Sequence, residues 1–248
     1  MRLAIISTPR SGNTWLRALA SFMYQVPHLS AHRPARVDWS ALPAECVFQL
    51  HWHYDPDLVR LLDEHGFRVA TLARHPLDVL MSILQFARHA DTDGWLDARG
   101  GDERMIVGVE PTSTALARYA TGPRFGALLA ATRDWWDVDG VFKVRYEDLV
   151  ARPRGELERL EIFLGADAAV RIVDAVDAAD VDRMRGLASP GHVWQGTPGL
   201  WKRLLPADLA RAVAAAHPES FEGLGYACDA DVALTPDAAA ENWHRLVT

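Results

Sequence analysis

Arg10, Ser11, Gly12, Asn13 and Thr14 stand together in the run Thr8-Pro9-Arg10-Ser11-Gly12-Asn13-Thr14-Trp15-Leu16, a set of residue types suited to holding an anion. Arg10 brings a fixed positive charge whose planar fork matches phosphate or sulfate oxygens. Gly12 lets the backbone approach a ligand closely, and the three polar side chains are short hydrogen-bonding groups. A second set is Arg74 and Ser82, able to hold one phosphate from two sides. The third is His51-Trp52-His53, whose imidazoles would share one face of a strand. Such a pair invites a zinc reading. The carboxylates that follow, Asp55 and Asp57, lie in a Pro-containing turn with no recognised ligand spacing, so no metal is expected.

The elements around these residues explain how they could be positioned. The apolar run Leu3-Ala4-Ile5-Ile6 reads as a buried strand, and Leu16, Leu19, Ala20 and Met23 keep helical spacing after the loop. A strand, a tight turn and a helix start make an anion site, because helix N-termini offer N–H groups and a positive dipole end. Arg68-Val69-Ala70-Thr71-Leu72-Ala73 is a second buried strand ending at Arg74. Pro76 suits the first turn of the next helix and Asp78 complements its positive end, placing Ser82 about two turns in. Patterns alternate along the chain: strands near 3–7, 46–51, 68–73 and 141–146, and helices near 14–25, 57–65, 76–90, 112–121, 123–136, 153–164 and 168–178. This alternation predicts an α/β fold, a single domain over 1–248 with a central parallel sheet flanked by helices. Residues 91–111 and 186–200 are polar, Gly-punctuated stretches expected to line the side where a substrate enters.

The first loop has one glycine and no Gly-Lys-Ser/Thr, so it is not a nucleoside-triphosphate loop. It resembles the 5′-phosphosulfate loop of sulfotransferases that use 3′-phosphoadenosine 5′-phosphosulfate (PAPS). Arg74-His75-Pro76-Leu77-Asp78-Val79-Leu80-Met81-Ser82 resembles that family's 3′-phosphate signature, with His75 in place of the usual Asn. Arg133-Asp134-Trp135-Trp136, the Tyr146-Glu147-Asp148-Leu149 turn and Gly196-Thr197-Pro198-Gly199-Leu200-Trp201-Lys202 also fit, in order, from residue 3 to about 205. The resemblance implies a P-loop-like sulfotransferase architecture, PAPS as co-substrate and 3′-phosphoadenosine 5′-phosphate (PAP) as product. It implies donor binding by Arg10, Ser11, Gly12, Asn13, Thr14, Trp15, Arg74, Ser82, Trp194, Gly196 and Lys202. It also implies a catalytic His at the end of the second strand. Cys46-Val47-Phe48-Gln49-Leu50-His51 aligns best, which makes His51 the base and His53 the reserve, with Gln49 replacing the family's Lys. Arg10 stands where that family has Lys, and would stabilise charge on the leaving phosphate as a catalytic cation. Trp194 and Gln195 stand where it has Arg-Lys, so the cationic grip there is weaker or comes from Arg183, Arg185 or Lys202. Trp15 would pack beneath the loop or beside the adenine, and Trp194 would pack or stack on it. Glu147 and Asp148 read as helix-capping residues rather than catalytic carboxylates.

Composition narrows the partners. A net charge of -7 argues against nucleic-acid or anionic-membrane binding, so cations must be local to the site. No apolar stretch is long enough for a membrane span, and the first strand starts too early for a signal peptide, which together suggest a cytoplasmic enzyme. Two cysteines make no disulfide framework. The Ala- and Arg-rich character suggests a high-GC bacterial genome. The partner expected is a small-molecule acceptor, its hydroxyl or amine receiving the sulfuryl group. Trp52, Tyr54 and Trp95 hint at an aromatic-lined pocket for it. The acceptor's identity and the oligomeric state stay open at this stage. Two other readings are a P-loop-like kinase and a catalytically silent nucleotide-binding module.

Overall fold

The computed structural model describes residues 1–89, 102–180, 183–184 and 193–247. These group into two compact units: Met1–Arg74 with Ala130–Leu187, and His75–Leu129 with Ala188–Thr248.

The first unit holds an all-parallel five-stranded sheet: β1 (Arg2–Ile6), β2 (His28–Ala31), β3 (Cys46–Leu50), β4 (Arg68–Ala73) and β5 (Phe142–Arg145), in the order β2-β3-β1-β4-β5. β1 is central, pairing Ile6 with Leu50 on one side and Ile5 with Ala70 on the other. Chain connections leave β1 toward β2 and leave β4 toward β5, in opposite directions. The crevice beyond the C-terminal ends of β1 and β4 is therefore a topological switch point, the place where such sheets bind ligands. Residues 7–12 and Arg74 emerge there. Leu3 through Ile6 and all of β3 are buried, as a parallel sheet covered on both faces requires. One face packs Ala4, Ile6, Phe48 and Leu50 against Trp39, Leu58, Leu62, Phe67 and Trp135.

Helices α1 (Asn13–Tyr24), α2 (Pro56–Glu64), α6 (Tyr146–Ala151), α7 (Pro153–Leu164) and α8 (Ile172–Ala178) belong to this unit. α6 replaces the turn expected at Tyr146-Glu147-Asp148-Leu149. Its acidic first turn suits the helix dipole, and Asp148 pairs with Arg152 one turn on. β2 was not expected. It is an edge strand of alternating exposure whose sequence, His28-Leu29-Ser30-Ala31, has no apolar run to announce it.

The second unit, taken alone, is helical: α3 (Pro76–Ala87), α4 (Thr114–Ala120), the first part of α5 (Pro123–Trp136), and helices Ala207–Ala216, Pro218–Gly223 and Pro236–Val247. α3 is buried almost all round, the expected state of a helix with so few polar positions. Its core collects Leu80, Leu84, Tyr119, Phe125, Trp201 and Trp243. The Ala-rich tail ends in the Pro236–Val247 helix, anchored by fully buried Trp243.

Candidate active site

The loop after β1 is shaped by two left-handed residues, Arg10 at φ 69° and Gly12 at φ 109°. Gly12 suits that conformation, whereas Arg10 pays about 1–2 kcal/mol for it, a strain typical of ligand-binding turns. Gly12 caps α1 with no side-chain bond of its own. A Cβ there would lie 2.4 Å from Tyr146 Cδ2, so glycine is demanded twice over. Asn13 turns inward: its amide donates to the Thr8 carbonyl at 2.8 Å and its oxygen accepts from the Ser7 hydroxyl. The side chain expected to face a ligand thus braces the loop. Thr8 N–H donates to Thr132 Oγ1 at 2.8 Å, and Thr132 Oγ1 donates to the Leu72 carbonyl at 3.2 Å, tying the loop to β4 through α5. Trp15 packs beneath the loop, edge-on to Tyr146, with its indole N–H on the Ala179 carbonyl at 2.8 Å. Thr14 is half-buried in the first turn of α1.

Two cations meet over this turn. Arg74 donates to the Arg10 carbonyl at 3.2 Å, and its guanidinium lies 4.4 Å above the Tyr146 ring. Burial first, and the neighbouring Arg74 charge second, push the Arg10 pKa down to about 9, with Tyr146 acting in the opposite direction. Positive charge is thus concentrated where it would be relieved by an anion. Ser11 Oγ and Arg74 Nε are buried with no hydrogen-bond partner among the described residues. Buried polar groups left in this way are the features an anion would satisfy.

His51 lies one residue past β3, beside the end of β1. Its Nδ1 is 2.8 Å from the Ser7 carbonyl and its Nε2 is 3.1 Å from the Gln49 amide nitrogen. Ser7 therefore links the imidazole to the loop that opens α1, its carbonyl on His51 and its hydroxyl on Asn13. His53 is exposed and stacks on Trp52 at 4.9 Å. Because β3 ends at Leu50, the expectation that both imidazoles share a strand face does not apply. Tyr54 and Trp52 gather at Trp135: Tyr54 packs edge-on at 5.2 Å, and Trp135 N–H reaches the Trp52 carbonyl. Trp95 and Arg185, with residues 91–101 and 186–192 of the two polar stretches, lie outside the described residues.

In the second unit, His75 caps α3, accepting from Leu77 N–H at 3.2 Å. Its other nitrogen donates to the Ala227 carbonyl, and the ring stacks on Trp201 at 4.9 Å. Asp78 receives Gly199 N–H at 2.6 Å and Trp201 N–H at 3.1 Å, so it holds the start of the Leu200–Arg203 turn. Ser82 is buried on α3. Gly196 has φ 71° in the approach to that turn. Lys202 pairs with Asp229 at 2.5 Å, and Trp194 packs edge-on against Trp243. Arg183, in the first unit, donates to the Asp177 carbonyl.

The family model described as a sulfotransferase domain matches residues 2–203. The chain belongs to the sulfotransferase family. The sulfotransferase class that the motifs resemble is thereby shown. Among curated proteins, this sulfotransferase is 22% identical to cytosolic sulfotransferase 8 of Arabidopsis thaliana over 90% of its own length and 77% of the relative's. It is 23% identical to sulfotransferase 1A1 of Canis lupus familiaris, over 70% and 62% of the two chains. Its fold matches a mouse sulfotransferase complexed with PAP, with TM-score 0.66 and 14% identity, covering 89% of this chain and 84% of that one. It also matches a retinol dehydratase in complex with androsterone and PAP, with TM-score 0.61 and 14% identity over 95% and 83%. No helix among the described residues of this sulfotransferase is long and apolar enough to cross a membrane.

Two contributors escaped the sequence reading. Tyr146 follows Arg145, which pairs with Ala73 across the sheet, so the strand register brings Tyr146 beside Arg74. Only knowledge of the β4–β5 pairing could have shown it. Thr132 lies mid-helix with no local signal at all.

Proposed function

We propose that this sulfotransferase moves the sulfuryl group of PAPS to a hydroxyl or amine of a small-molecule acceptor by in-line displacement, with His51 as general base. The observation that carries the donor assignment is the pairing of Arg10 and Arg74 over the Gly12 turn, with the Arg10 pKa depressed to about 9. PAPS supplies an activated sulfuryl group on a phosphate leaving group. Arg10, the Ser11 hydroxyl, Thr14 and the N-terminal N–H groups of α1 would hold that phosphate as its charge grows, with little reorganisation. Arg74 and Ser82 would take the 3′-phosphate, with Trp15, Trp194, Gly196 and Lys202 around the rest of the nucleotide. For Lys202 this means exchanging Asp229 for the ligand. Asn13 serves by keeping the loop in shape, and His53 stays the reserve base. The residues fit the nucleotide: a glycine cradle, a buried hydroxyl with no partner among the described residues, and two cations. A base held by a carbonyl at Nδ1 has Nε2 as its proton acceptor, and such a step contributes about 10²–10⁴-fold. The family match runs through segments of both compact units, which supports one catalytic domain.

The test is calorimetric titration of PAP into wild type and Arg74→Ala. Micromolar binding in wild type, weakened by about tenfold or more in the variant, is the expected result, since charge-assisted bonds carry about 1.5–3 kcal/mol. A folded wild-type protein that does not bind PAP would refute the assignment and turn attention to ATP with Mg²⁺.

A further inference from the structure

Gln49 is 8% exposed and His51 9%, and the two form a buried pair whose hydrogen-bond sense can be worked out atom by atom. The Ser7 carbonyl only accepts, so His51 Nδ1 at 2.8 Å carries a proton. In the neutral ring Nε2 is then a bare acceptor, and the group facing it at 3.1 Å must be the Gln49 N–H. That orientation sends the carboxamide oxygen elsewhere. Gln49 Oε1 is buried and has no hydrogen-bond partner among the described residues. An unmet buried acceptor beside a base calls for a reason.

We propose that Gln49 is a positioning residue for His51. It covers the Nε2 lone pair at rest, and by rotating its carboxamide it accepts from Nε2–H once His51 is protonated. The proposal rests on the reading of His51 as base. In that reading the acceptor O–H bond breaks and its proton goes to His51 Nε2. The oxygen's electron pair forms the new O–S bond, while the S–O bond to the phosphate breaks and its pair leaves with the phosphate. Gln49 must yield the lone pair before the acceptor can use it. Afterwards its oxygen is the group that suits the new N–H. A carboxamide can do both because its ends are alike in size and opposite in hydrogen-bond sense. A lysine at this position, as in the motif the sequence resembles, could only donate and would repel the imidazolium. His32, whose ring stacks 6.4 Å from His51, is a titratable neighbour to be controlled for.

The experiment is an NMR pH titration of the histidine ring nitrogens in wild type, Gln49→Leu and Gln49→Glu, assigned with His51→Ala and His32→Ala. Wild-type His51 is expected as the Nδ1–H tautomer. Its proton affinity should fall about tenfold in the Leu variant, because the imidazolium loses a charge-assisted bond roughly twice as strong as the neutral one. It should rise above wild type in the Glu variant, whose carboxylate can only accept. An Nε2–H tautomer in wild type overturns the proposal. So does a His51 titration unmoved by the Leu or Glu change. If the Leu variant does not fold, the Glu variant and the wild-type tautomer decide alone. None of these readings needs turnover, so they are distinguishable from the donor-site test, in which PAP fails to bind wild type.

Discussion

The charge and the glycine in the loop after β1 act as one device. Gly12 is left-handed at φ 109° and leaves no room for a Cβ beside the Tyr146 ring, over which Arg74 lies. Adding a methyl group there forces Tyr146 aside and with it the guanidinium that meets Arg10. Gly12→Ala is expected to cost about 1–3 kcal/mol of stability, from positive-φ strain and overpacking together. The same change should weaken PAP binding by tenfold or more. Chemical denaturation and PAP titration of the variant measure the two effects separately, and wild-type PAP affinity in Gly12→Ala would show that the Tyr146 platform is dispensable. The residue types of this loop stood out in the sequence because the groups suited to an anion form a small chemical vocabulary. Asn13 was misjudged in direction: an amide side chain is equally suited to a ligand or to its own loop, and here the Thr8 carbonyl claims it.

At the level of elements, capping decides how the C-terminal motif is held. The Leu200–Arg203 turn begins with N–H groups that need acceptors, and Asp78 on α3 accepts two of them. Asp78→Asn keeps one oxygen but turns an N–H toward an N–H. It is expected to cost about 2 kcal/mol, as the loss of a charge-assisted bond that leaves a buried donor unmet. Thermal or urea unfolding of the variant measures this, and a change below about 0.5 kcal/mol would mean another group replaces the carboxylate. Asp78 read in sequence as a charge at its own helix's first turn, since local reasoning sees only near neighbours. Its partners lie more than a hundred residues away. β4 fell at the residues expected, and β1, β3 and β5 within one residue of them, because buried parallel strands are continuous apolar runs. β2 passed unnoticed for the opposite reason: at the sheet edge only part of each residue is buried.

For the whole molecule, a ligand that binds only the folded chain stabilises it by mass action. PAP at a hundred times its dissociation constant should add about 2.7 kcal/mol, read as a rise in unfolding temperature that Arg74→Ala shows only at much higher PAP. Equal responses of wild type and Arg74→Ala would remove Arg74 from the site. The sequence by itself determined the alternating α/β plan, the order of the motifs and the family, because these depend on local periodicity and on residue types at short spacing. Tertiary structure alone decided which of those residues meet. The β1–β4 switch point brings Arg10 to Arg74, and the β4–β5 register puts Tyr146 beneath Arg74. The end of β3 separates His51, bonded to Ser7 and Gln49, from exposed His53. Strand pairing joins residues far apart in the chain, and no short window of sequence carries the register that does so.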